Sequence, residues 1–165
     1  MKNHVSLRPT VELSQIGFLL GRAYDSYMGF LEHLLEESGL GDHIKPGMGS
    51  LLFALFREDD RTISEVAREL QLARSTMTGM VARMKKARLI NVVRCRQDSR
   101  ALRLRLTPLA RSLEPRCQQL ASRVERILSG DLSAEESRNL RRLLTIVIGT
   151  INAGLGSPRR EPVAP

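Results

Sequence analysis

Tryptophan is absent from this chain, and aromatic residues are few: two Tyr and four Phe. Proteins that hold single-stranded nucleic acid stack successive bases on aromatic platforms, so this scarcity weighs against that class. Cysteine is nearly absent as well. Cys95 and Cys117 make no CxxC pair and are too few for a disulfide framework. No apolar run reaches the roughly 18 residues of a transmembrane helix. The opening MKNHVSLRPTVEL has no apolar stretch of the signal-peptide kind. A reducing cytoplasm is the expected location, with no membrane partner. Enzymatic features are missing too. His4, His33 and His43 form no nucleophile–base–orienter set, and there is no Gly-rich phosphate loop. Neither catalysis nor a cofactor is expected.

What the chain has is positive charge in one place. The formal net charge is +8 over 165 residues, a length within single-domain size. Nine Lys or Arg lie between Arg83 and Arg105, against the single acid Asp98, whereas the segment up to Phe56 carries more acids than bases. An anionic partner follows. Charge alone does not separate DNA, RNA and an acidic membrane; the elements that carry it do.

The dominant period is helical. From Val11 to Leu35 apolar residues recur at three-four spacing, and Gly39 and Gly41 close that helix. Pro46 suits the first turn of a second helix carrying Leu51, Leu52, Leu55 and Phe56. Glu58-Asp59-Asp60 reads as a turn. Thr62 and Glu65 form a capping box that opens a short third helix, and a fourth begins near Arg74. This is the helix-turn-helix outline. Two strands follow, Asn91 to Arg96 and Leu102 to Leu106, the second a clean alternation of Leu and Arg. Thr107-Pro108 caps a fifth helix to about Leu128, in which Pro115 should make a kink. Ser133 and Glu136 form another capping box, ahead of a sixth helix with Leu140, Leu143, Leu144, Val147, Ile148 and Ile151. The Pro-rich tail GSPRREPVAP is expected to be disordered.

On a helical wheel Met77, Met80, Val81 and Met84 fall on one side of the fourth helix. Ser75, Thr76, Gly79, Ala82, Arg83 and Lys86 fall on the other, with Thr78 at the boundary. The Met side is core. The opposite side is small and hydroxyl-bearing near the N-terminus, which suits close approach to base edges and phosphates, and cationic further on. A solvated face would look the same. The adjoining hairpin favours DNA: Arg96-Gln97-Asp98-Ser99-Arg100 makes an Arg-tipped turn, and such an Arg fits a narrow minor groove. Asp98 either pairs with a nearby Arg and shapes the loop or is an ordinary turn residue. Arg103 and Arg105 lie on the polar strand face and can reach phosphates or merely solvate it. Double-stranded DNA is the expected partner. The candidate DNA-binding set is Arg74, Ser75, Thr76, Thr78, Gly79, Arg83, Lys86, Arg96, Asp98, Arg100 and Arg103.

These segments resemble the MarR family of transcriptional regulators. That family has a DxR turn, a strand and then LTxxG; here stand Asp98-Ser99-Arg100, Leu102 to Leu106, and Leu106-Thr107-Pro108-Leu109-Ala110. Ser75-Thr76-Met77-Thr78 matches the start of the recognition helix, Leu89-Ile90 the apolar pair before the wing, and Ser133-Ala134-Glu135-Glu136 the opening of the last helix. The likeness covers roughly residues 10 to 154. Departures are Ala73 for a capping Ser, Gly79 for a larger polar residue, Arg88 for a helix-ending Gly, Val92 for Arg and Ala110 for the Gly of LTxxG.

The resemblance implies a mainly α fold with a small β wing. A winged-helix core at about 46–106 is joined to dimerisation helices at 10–38 and 107–154, within one unit at 1–154, before a tail at 155–165. It implies a homodimeric repressor on a pseudo-palindromic operator, answering to a small, often aromatic or anionic ligand between the dimer helices and the winged helix. The apolar stripes of the first, fifth and sixth helices also ask for a second chain, because a winged-helix core is too small to cover all three. A compact monomeric bundle is the competing arrangement. The competing function is a nucleoid-associated or protein-partner module without gene-specific control. A metal site among Glu32, His33, Glu36 and His43 is disfavoured against solvated charges. An oxidant-sensing Cys95 or Cys117 stays open beside an inert buried thiol.

Overall fold

The computed structural model describes residues 15–94 and 101–156. Among them six helices and one small sheet alternate: α1 (Ile16–Glu37), α2 (Gly49–Arg57), β1 (Arg61–Thr62), α3 (Ile63–Glu69), α4 (Arg74–Lys86), β2 (Ile90–Arg94), β3 (Leu102–Leu106), α5 (Pro108–Ser129) and α6 (Ala134–Gly156). The sheet order is β1-β3-β2, antiparallel throughout. β2 and β3 form the hairpin, with Ile90 opposite Leu106 and Arg94 opposite Leu102. No described helix is long and apolar enough to cross a membrane.

Local chemistry explains most boundaries. Thr62 accepts from the N–H of Glu65 while the Glu65 carboxylate accepts from the N–H of Thr62, so the capping box opens α3. Ser133 and Glu136 repeat the pattern ahead of α6. α1 ends in a Schellman motif: Leu40 N–H donates to Leu35 O and Gly39 N–H to Glu36 O, with Gly39 at φ 66°. The second helix starts later than Pro46 suggests. Gly47 at φ 83° and the Met48 N–H···O=C Lys45 bond form a turn, which delays α2 to Gly49. The two-residue strand β1 was not anticipated; pairing with β3 makes it, not its own pattern. α5 continues through the exposed Pro115, which costs the hydrogen bond that a residue with an N–H would donate to Arg111 O.

Two further Schellman motifs sit on residues that are not glycine. Leu72 N–H reaches Ala67 O with Gln71 at φ 51°, and Leu89 N–H reaches Met84 O with Arg88 at φ 57°. Left-handed backbone in a residue with a Cβ costs on the order of 1 kcal/mol. We therefore expect Arg88→Gly to stabilise the fold by about 0.5–1 kcal/mol and to raise the melting temperature by a few degrees. A lowered midpoint in thermal unfolding would mean that the Arg88 side chain holds more than the strain it brings.

The core lies between these elements. Leu51, Leu52 and Leu55 of α2, Val66 of α3 and Met77, Met80 and Met84 of α4 are buried together with Ile90, Leu104 and Leu106 of the sheet. Leu35 of α1 and Ala110, Leu113 and Cys117 of α5 close it. Among the described residues α6 contributes nothing to it: Leu140, Leu143, Leu144, Ile148 and Ile151 all stand exposed, Ile148 by 52%. Ile16, Phe18, Leu19, Tyr24 and Tyr27 of α1 are exposed too.

Candidate nucleic-acid interface

α4 is held on its Met side and open on the other. Arg74, Ser75, Thr76, Thr78, Gly79, Arg83 and Lys86, the helical part of the expected DNA-binding set, are all exposed. Ala73 is the N-cap and supplies no side-chain hydrogen bond, so the first-turn N–H groups keep their donors for an outside acceptor. That end of the helix also carries positive dipole, which suits a phosphate oxygen. The last turn holds Arg83, Lys85 and Lys86. Thr78 donates its hydroxyl to Arg74 O at 2.8 Å, which leaves it lone pairs rather than a proton to offer. A Cβ on Gly79 would meet nothing within 4 Å. Packing inside the chain therefore gives no reason for glycine there, while an outside surface can approach the backbone closely.

The end of α4 is tied to the start of α5 by one hydroxyl. Thr107 accepts from Ala110 N–H at 3.1 Å as the α5 N-cap, and donates to Arg88 O at 2.7 Å. The Leu106-Thr107 pair thus joins the end of α4, strand β3 and the start of α5: Leu106 is buried, and Thr107 N–H donates to Leu89 O.

Arg96, Asp98 and Arg100, and with them Cys95, lie outside the described residues. The base of the wing is described, and sequence reasoning missed its main feature. Asp60 accepts from Arg103 Nε at 2.8 Å with one carboxylate oxygen and from an Arg105 guanidinium nitrogen at 2.8 Å with the other. Its carbonyl accepts a further bond from Arg103. Asp59 takes the Leu106 N–H at 2.9 Å and pairs with Arg111. The two arginines beside Asp60 hold its carboxyl down to about 2, so it stays ionised through the neutral and mildly acidic range. Arg103, one of the expected DNA contacts, is thus engaged within the chain. Two successive acids after α2, ahead of a Leu-Arg-Leu-Arg-Leu strand short of counter-charge, were the signal available. Glu69 similarly joins Arg57 and Arg61, tying α2, β1 and α3 together.

A cavity of about 360 Å³ opens between α1, α2 and α5. Tyr27, Leu31, Phe53, Leu120 and Val124 line it, and the charged lining residues Lys45 and Glu125 are exposed. Cys117 also lines it. Burial pushes this thiol up to about 11, so it is protonated at neutral pH and a poor nucleophile. Among the described residues no group of His, Cys, Asp and Glu is placed to hold a metal.

Comparison with known proteins agrees with this geometry. Residues 49–101, from α2 into the wing, match the family model described as MarR family. No curated protein sequence matches the chain. A probable transcriptional regulator from Pseudomonas aeruginosa superposes with a TM-score of 0.70 at 26% identity, over 81% of this chain and 97% of that one. The PcaV transcriptional regulator from Streptomyces coelicolor, solved in complex with its natural ligand, gives 0.71 at 24%, over 85% and 96%. S. aureus MepR, solved in complex with DNA, gives 0.69 at 21%, over 83% and 98%. At these lower identities the likeness speaks for the winged-helix fold. The segment from α2 into the wing, residues 49–101, is thus similar to the MarR family of transcriptional regulators, and the whole order of helices and strands is shared with solved regulators of that winged-helix fold.

Proposed function

We propose that the protein is a ligand-responsive repressor that binds a pseudo-palindromic operator as a homodimer. α4 enters the major groove, the turn expected at 96–100 reaches the flanking minor groove, and segments 10–38 and 107–154 pair the two copies around winged-helix cores at about 46–106. The observation that carries this reading is the combination of an open hydroxyl-and-cation face on α4 with apolar faces on α1 and α6 that no described element covers. Such faces in one chain are the mark of an interface. The cavity supports the ligand part. It is apolar, of a size for a small aromatic molecule, and Lys45 supplies a cation for an acidic group. PcaV, with its natural ligand bound, is a precedent of the same fold.

Selection of bound fragments from a genomic DNA pool tests the operator. Enrichment of inverted repeats with half-sites about one helical turn apart is expected. Uniform recovery of all fragments, or protection of one unsymmetrical half-site by a single chain, overturns it and favours a module without gene-specific control.

The roles within α4 are separable. Ser75 and Thr76, beside the helix N-terminus, are placed to set sequence preference or register, so their replacement should change which bases are preferred. Lys86→Ala should weaken all sequences alike and flatten the salt dependence by about one unit. Titrations on selected and random duplexes check this; equal losses on both for all three changes would remove the division of labour.

A further inference from the structure

We propose that Asp60 is a specificity-determining residue: it withholds Arg105 from DNA phosphates and fixes strand β3, and so lowers sequence-independent binding relative to operator binding. This rests on the reading of α4 and the wing as the DNA surface. β3 is the strand that pairs with both β1 and β2, and its outer face carries Arg103 and Arg105. Both are held by one carboxylate, which comes from the turn between α2 and β1. Two of the nine cations between Arg83 and Arg105 are therefore counter-charged within the chain. An arginine left free near DNA attracts any phosphate, and each such contact releases counterions without reading sequence.

The two arginines are not equivalent. Arg103 is also held by the Asp60 carbonyl, faces Thr62 across the sheet and has a side chain 28% exposed. Arg105 meets Asp60 through the carboxylate alone, and its side chain is 53% exposed. Loss of the carboxylate charge thus frees Arg105 first. Asn is the suitable replacement. It keeps the shape and the carbonyl, and it tolerates the left-handed backbone that Asp60 adopts at φ 56°. The neighbouring Asp59 continues to hold Leu106 and Arg111, so the end of the strand stays in the sheet while its Arg103–Arg105 stretch loses an anchor.

The test compares Asp60→Asn with the parent protein on a duplex that the parent selects from genomic DNA and on a random duplex of equal length. On the random duplex the variant should bind about fivefold more tightly at 0.15 M salt, with a salt slope steeper by about one unit, the size of one added phosphate contact. The selected duplex should not gain, because the same change loosens the strand that orients the wing. The ratio of the two affinities falls by about that factor. In Asp60→Asn/Arg105→Gln the slope on random DNA should return to that of the parent. Equal gains on both duplexes would mean charge alone, equal losses a scaffold role alone, and no change an Arg105 out of reach of DNA; each overturns the proposal. A steep slope that persists in the double variant also overturns it. A parent protein that selects no duplex refutes the operator reading before any variant is made, which keeps the two failures apart.

Discussion

Replacing Leu144 and Ile151 of α6 with Asp should leave the protein monomeric at micromolar concentration and lower operator affinity by about 10²–10⁴-fold, the range of advantage that joining two binding sites confers. Both residues lie on the apolar face of α6, with exposures of 41% and 47%. Asp at these positions leaves the winged-helix core alone, because among the described residues α6 gives that core none. The face is broad: Leu140, Leu144, Val147 and Ile151 fall at three-four spacing within one stripe. A carboxylate buried in a matching apolar stripe of a second chain would have no partner, and an unpaired buried charge is far more costly than a lost contact. Sedimentation velocity gives the mass, and titration on a two-half-site duplex gives the affinity. Circular dichroism checks that the helices persist. A variant that sediments as the parent does would sink the dimer reading for α6 and return the compact monomer to consideration.

Leu104→Ala should be the most damaging single change within the DNA-binding unit, at about 2–5 kcal/mol. Leu104 is wholly buried on the central strand β3, with Val92 opposite on one side and Arg61 on the other. Its neighbours in sequence, Arg103 and Arg105, point outward to Asp60. The one side chain therefore fastens to the core a strand whose other face sets the wing. Native domains have only about 5–15 kcal/mol in hand, so a large part of the total stability is at stake. Urea unfolding should show a lower midpoint with little change in slope. A loss below about 1 kcal/mol would mean that the sheet collapses onto the vacated volume, against the cavity cost assumed here.

The elements that local chemistry decides were legible in the residues. Thr62 and Glu65 announce α3, Ser133 and Glu136 announce α6, and the Leu-Arg alternation gives β3 with its bounds, because each pattern acts within a few residues of itself. The open face of α4 was legible too, since the helical period alone divides Met77, Met80 and Met84 from Ser75, Thr76, Arg83 and Lys86. Other features were not. Gln71 and Arg88 end their helices in left-handed backbone that glycine normally signals, so no residue type marked the stops. The start of α2 was misplaced because Pro46 fits a turn as well as a first helical turn.

By itself, the sequence determined the order of elements, the polarity of each helix face and the concentration of charge between Arg83 and Arg105, since period, capping and net charge are properties of neighbours in the chain. Only the tertiary structure decided that Asp60 neutralises Arg103 and Arg105, that β1 exists, and that α1, α2 and α5 leave a cavity between them. These depend on groups brought together from distant parts of the chain: Asp60 and Arg105 stand 45 residues apart. Local propensity carries no information on such a pairing, which the packing of α2 against the sheet creates.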